Sequence, residues 1–102
     1  MGKHHITALL YDKRNRLLAV GQNSYVVTHP FMAKCGAAVG EPDKVFLHAE
    51  VAALLKVRNW SRINKIVITR YTKDGCPALA KPCKACAHAL ALAGVKNIYY
   101  TQ

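Results

Sequence analysis

Acidic residues are scarce in this chain: 5 Asp plus Glu stand against 15 Lys plus Arg over 102 residues, a formal net charge of +10. So lopsided a balance points to polyanionic partners, namely nucleic acid, nucleotides or an anionic membrane surface. Dispersed Lys and Arg also serve simply to keep a small protein soluble, so charge alone gives a partner class and no function. Long apolar runs are lacking as well. Val51 to Leu55 and Ala85 to Gly94 fall well short of the ~20 residues of a spanning helix, which excludes a transmembrane segment. The start, Met1-Gly2-Lys3-His4-His5, fits neither a signal peptide nor a myristoylation site, since Ile stands at position 6 where Ser or Thr is wanted. A cytoplasmic, reducing compartment is therefore expected. No repeat or low-complexity tract interrupts the chain. With 52% hydrophobic and 20% charged residues it has apolar surface enough to offset the entropy of ordering. The length leaves room for one domain over residues 1–102, with one core and one site.

Patterning supplies the elements. His4 to Tyr11 and Leu17 to Val20 are β-forming runs around the polar turn Asp12 to Arg16, which reads as a hairpin. The stretch from Gln22 to Lys44 has no sustained period and contains Pro30, Gly36, Gly40 and Pro42, so a long connection is expected, its start lining a site. Leu47 to Val57 reads as a buried core helix ending near Asn59, with Trp60 in the core. Lys65 to Tyr71 is a strand and Thr72 to Lys81 a loop. Pro82 opens a second core helix that Gly94 stops, and Val95 to Thr101 is the last strand. The order β-β-α-β-α-β implies an α/β fold with a mixed sheet and helices packed on it.

Four cysteines in a cytosolic chain suggest metal or redox chemistry before disulfides. Cys35 and Cys76 stand apart and read as buried or free thiols. Cys83 and Cys86 form a Cys-x-x-Cys whose i, i+3 spacing puts both thiolates on one helix face, where they fit a metal pair, a redox pair or chance. Two further features narrow the choice: Pro82 directly before Cys83, and His48-Ala49-Glu50 at the head of the other helix. Imidazole and two thiolates hold Zn²⁺ with a fourth position open to water, and a carboxylate alongside moves that water's protons. His48 and Glu50 are two apart and converge only if the ion lies off the helix end. Both helix N-termini should therefore point at it.

At these residues the sequence resembles the zinc-dependent cytidine and deoxycytidylate deaminase superfamily, which includes tRNA adenosine deaminases and polynucleotide cytidine deaminases. The likeness runs from Ile6 to Thr101. It implies a three-layer-type cytidine deaminase-like fold with four strands in the order 2-1-3-4 and two core helices carrying the zinc site. It also implies zinc ligands His48, Cys83 and Cys86, Glu50 as the catalytic proton carrier, and hydrolytic deamination of a nucleobase, cytosine to uracil first and adenine in RNA as the alternative. Asn23 matches a family position that holds sugar or base, and Ala49 and Lys84 lie within the motifs as further substrate-contact candidates. The family's usual first helix and its elements after the fourth strand have no place here, so a homo-oligomer that covers the sheet edge is expected.

For the substrate carrier, Lys34, Lys73, Lys81 and Lys84 fall on or near loops around the expected pocket mouth. Tyr25, Phe31 and Tyr71 are candidate stacking platforms for a single strand, each equally fit for ordinary packing. A phosphorylated cytosine compound, either a CMP or dCMP type nucleotide or single-stranded nucleic acid, is the leading reading. Two rivals remain: a structural zinc module that binds nucleic acid, with Cys76 as fourth ligand, and a thiol-redox protein built on Cys83 and Cys86.

Overall fold

Alternation of apolar residues at period 2 sets the sheet. The structure is a computed structural model that describes residues 5–24, 26–42, 46–72 and 74–102. In it β1 (His5–Tyr11) and β2 (Leu17–Gln22) form the expected antiparallel hairpin, paired from Thr7↔Gln22 to Tyr11↔Leu17. Asn15 takes a φ of 59°, a left-handed position that Asn tolerates better than most residues. β3 (Lys65–Tyr71) runs antiparallel to β1, and β4 (Asn97–Tyr100) parallel to β3, which gives the mixed order β2-β1-β3-β4. Ala8, Leu10, Ile66 and Ile68, on alternate positions, are fully buried on one face of the sheet.

Helices cover that face. α2 (Ala49–Leu54) packs on β1 and β2, and α3 (Lys84–Leu92) packs against α2. The seat of α2 is tight at Gly21, where an added Cβ would overlap the Ala49 carbonyl and the Ala53 backbone. α2 is shorter than the 47–57 span read from periodicity. Its end tightens, with the Leu54 carbonyl accepting the Val57 N–H at 3.1 Å as well as the indole N–H of Trp60 at 2.9 Å, and a 3₁₀ turn, Trp60–Arg62, leads into β3. Trp60 is half-buried against the core, as its position suggested.

The connection expected between residues 22 and 44 holds a helix, α1 (Pro30–Ala38). Its breakers are boundary signals. Pro30 occupies the first turn, where a missing N–H costs nothing, and the His29 ring Nδ1 caps it by accepting from the Phe31 N–H at 3.0 Å. Gly40, at φ 79°, lies just past the end. α1 packs on α3 with Met32 and Cys35 fully buried, and Phe31 meets Trp60 with ring centroids 5.7 Å apart. Cys35 is thus a core thiol, and Cys76 is exposed.

Candidate metal centre

Both helices of the core begin at a ligand. His48 is the N-cap of α2 (φ −83°, ψ 158°) and Cys83 the N-cap of α3 (φ −70°, ψ 170°), each in extended backbone that turns its side chain off the helix end. The segment before His48 is pinned by backbone bonds from Ser24 N–H to the Leu47 carbonyl (2.8 Å) and from Leu47 N–H to the Val27 carbonyl (2.9 Å). Cys86 follows in the first turn of α3. The two helix starts therefore converge as the motif spacing required, and His48 and Glu50 share a site because His48 lies outside the helix proper.

The His48 Nδ1 atom lies 3.5 Å from Cys83 Sγ and 3.2 Å from Cys86 Sγ, and the three donor atoms lie within 4.8 Å of one another. Tetrahedral zinc, with Zn–N of ~2.0–2.1 Å and Zn–S of ~2.3 Å, sets N to S separations of roughly 3.6 Å, so the donor set fits that ion. Among the described residues no other group of three or more such donors exists, and this one does not include Cys76. The two thiols are pushed in opposite directions. Cys83 is lowered to about 3 by the hydrogen bond from the Cys86 thiol and then by His48, while Cys86 is raised by that same bond and by burial. One thiolate thus exists before metal binds, helped by the N-terminal end of α3.

Glu50 is one of two buried acidic residues among those described, at 5% exposure. Burial raises its carboxyl above the ordinary range, against the pull of backbone hydrogen bonding and of His48. A carboxyl raised in this way holds a proton more readily than an exposed one, which suits a group that accepts and returns protons in a reaction.

These groups open on a cavity of about 340 Å³ lined by His48, Glu50 and Cys83 and by Asn23, Arg70 and Lys81. Its size falls in the range of small-ligand sites. Asn23 lies there as expected, its Oδ1 accepting the Ile6 N–H at 3.0 Å and so extending the β1–β2 ladder. Lys81 lines the cavity too. Ala49 is buried behind it against Gly21 and Lys84 is exposed at the start of α3; neither is among the lining residues, nor is Lys34. Phe31 is packed on Trp60, Tyr71 is half-exposed at the end of β3 outside the lining, and Tyr25 and Lys73 lie outside the described residues. Phe46, 45% exposed, is the aromatic at the cavity.

Arg70 was not singled out from the sequence, although strand parity carried the signal. It shares the face of Ile66 and Ile68, and a charge on the apolar face of a strand invites a reason. Its Nη1 donates to the Leu79 carbonyl at 3.2 Å, but its Nε is buried with no partner among the described residues. An unmet donor of this kind costs about 1–3 kcal/mol.

Fold and centre together define a class: an α/β domain that binds zinc through one histidine and two cysteines at two helix starts. A family profile described as the cytidine and deoxycytidylate deaminase zinc-binding region matches residues 1–102, and the chain belongs to that family. A comparison with curated proteins finds no match.

Proposed function

We propose that the protein is a zinc-dependent hydrolase that deaminates cytosine to uracil in a phosphorylated substrate, a CMP or dCMP type nucleotide or single-stranded nucleic acid. The observation that carries this reading is Glu50: a buried carboxyl, raised by desolvation, on the same cavity as His48 and Cys83. His48, Cys83 and Cys86 would hold the ion. Bound zinc lowers the pKa of water towards neutrality and supplies Lewis acidity. Glu50 takes the first proton released as water adds to C4 of the base and passes it to ring N3. It then takes the remaining proton of the hydroxyl now on C4 and delivers it to the amino group, so that the C4–N bond breaks, ammonia leaves and the carbonyl is left at C4. Asn23, already fixed by Ile6, contributes a rigid polar edge for the nucleoside.

Self-association is part of the same proposal. β2 and β4 are the edges of the sheet, and Tyr99 on β4, with Leu92 at the end of α3, is more than half exposed. Sedimentation velocity tests it, with a dimer or larger species expected at micromolar concentration. Among the described residues no helix is long and apolar enough to cross a membrane.

The test of function is mass spectrometry of base products after zinc-loaded protein meets, in parallel, CMP, dCMP, cytidine, single-stranded DNA and single-stranded RNA, with Glu50→Ala as control. Uracil in one or more reactions and none in the control is expected. Inosine formed from an adenosine substrate, with cytosine untouched, overturns the choice of base.

A further inference from the structure

We propose that Arg70, seconded by Lys81, binds a phosphate group carried by the substrate, so that the site selects nucleotides over free nucleosides; this rests on the deaminase reading above. Arg70 sits at the end of β3 on the wall of the cavity that His48, Cys83 and Glu50 also line. Among the described residues no carboxylate pairs with it; the ion pair they contain joins Asp12 to Arg16 in the hairpin turn. A half-buried guanidinium with no counter-charge and an unmet Nε is a cation prepared for an anion that the protein does not supply.

The surrounding backbone keeps it in place. The Arg70 N–H donates to the Thr101 hydroxyl at 3.0 Å, and the Arg70 carbonyl accepts from the Ala78 N–H at 2.8 Å. The Thr101 hydroxyl in turn donates to the Ala78 carbonyl at 2.5 Å, and the Ala80 N–H donates to the Thr101 carbonyl at 2.9 Å. The loop from Ala78 to Ala80 is thereby tied to the ends of β3 and β4, and its Leu79 carbonyl orients the guanidinium. Lys81 follows at once and lines the same cavity, so a planar fork and a mobile ammonium face one ligand volume. That combination suits a phosphate, which accepts paired hydrogen bonds from arginine and a point charge from lysine. Preorganisation by the loop lowers the entropic cost of binding.

Calorimetric titration of the zinc-loaded Glu50→Ala protein, which binds without turning over, tests this with cytidine, its 5′ and 3′ monophosphates, adenosine and AMP. At least one cytidine monophosphate should bind ten-fold or more tightly than cytidine. Adding Arg70→Gln should bring that ratio to within two-fold while cytidine affinity, zinc content and Tm hold. A ratio near one on the folded Arg70 protein overturns the proposal, whether or not the double variant folds. An Arg70→Gln change that weakens cytidine and CMP alike also overturns it, since that is a structural role. Equal turnover of cytidine and CMP by the unsubstituted protein removes Arg70 from recognition and leaves the deaminase reading standing. AMP bound in preference to adenosine, with neither cytosine compound bound, supports Arg70 and overturns the cytosine assignment. Binding of none of the five overturns both.

Discussion

Asp12 and Glu50 are the two buried acidic residues among those described, and the fold treats them oppositely. Asp12 sits in the hairpin turn, where its carboxylate accepts from the N–H groups of Arg14 and Arg16 and from Arg16 Nε, each at 2.9 Å. The Arg16 backbone bond is the chief reason its pKa is lowered, so it stays ionised as a structural anion. Glu50 lies at the start of α2 beside two cysteines and a histidine, and burial pushes its pKa up. The first carboxylate is satisfied by its own loop. The second faces the cavity that His48 and Cys83 line. That difference separates a folding device from a reaction centre, and substitutions that keep shape and remove charge can test it.

The largest effect is expected from Glu50→Gln, which retains volume and removes the proton carrier. Turnover should fall at least about 100-fold, with zinc content unchanged. The Tm of the metal-free protein should hold or rise, since a desolvated carboxylate has been removed. A fall in Tm with activity intact would make Glu50 another Asp12 and break the contrast.

Next in size is the centre itself. His48→Ala and Cys86→Ser should bring zinc, measured by atomic emission, from stoichiometric to background, and chelation of the unsubstituted protein should lower its Tm reversibly. Cys76→Ser should keep both zinc and fold. Loss of zinc there would close the site with a fourth protein ligand and favour the structural zinc module.

Much of this was legible in residue order. The hairpin and β3 follow from period-2 runs and turn chemistry, the order 2-1-3-4 is what the family resemblance implies, and the ligands His48, Cys83 and Cys86, with Glu50 beside them, follow from the pairing of His-x-Glu with Pro-Cys-x-x-Cys. α1 was not legible, because Pro30 and Gly40 punctuate a helix in the same letters that punctuate a loop; the cap by His29 Nδ1 is a contact that sequence does not display. The short span of α2 also involves a tertiary contact, since Trp60 shares the Leu54 carbonyl with the Val57 N–H of a tightened last turn. Arg70 was hidden among the apolar residues of its strand, although its parity with Ile66 and Ile68 placed it on the buried face.

How firmly Glu50 is held can be probed from behind. α2 rests on β2 at Gly21 with no room for a methyl group, and the obstructing atoms are backbone. Gly21→Ala should therefore cost about 1–3 kcal/mol in denaturant unfolding. It should also reduce turnover, because the displaced helix start carries both His48 and Glu50. Unchanged stability would mean that α2 shifts freely and that the placement of Glu50 does not depend on this seat.

The smallest effect belongs to Asp12, and pH exposes it. Its folded pKa is below the unfolded value of ~3.9. The stability it contributes is therefore fully present above that value and is lost as pH falls through the lower, folded one. Asp12→Asn keeps the side-chain shape and removes the charge that Arg16 pairs with. At pH 7 the variant should melt below the unsubstituted protein, and the two melting curves should converge as pH falls below about 4. Turnover at pH 7 and a temperature well under both transitions should be the same, because the turn contributes nothing to the cavity. Equal melting at pH 7 would reduce Asp12 to an ordinary surface charge, whereas lost activity in a fully folded variant would tie the hairpin turn to the reaction centre.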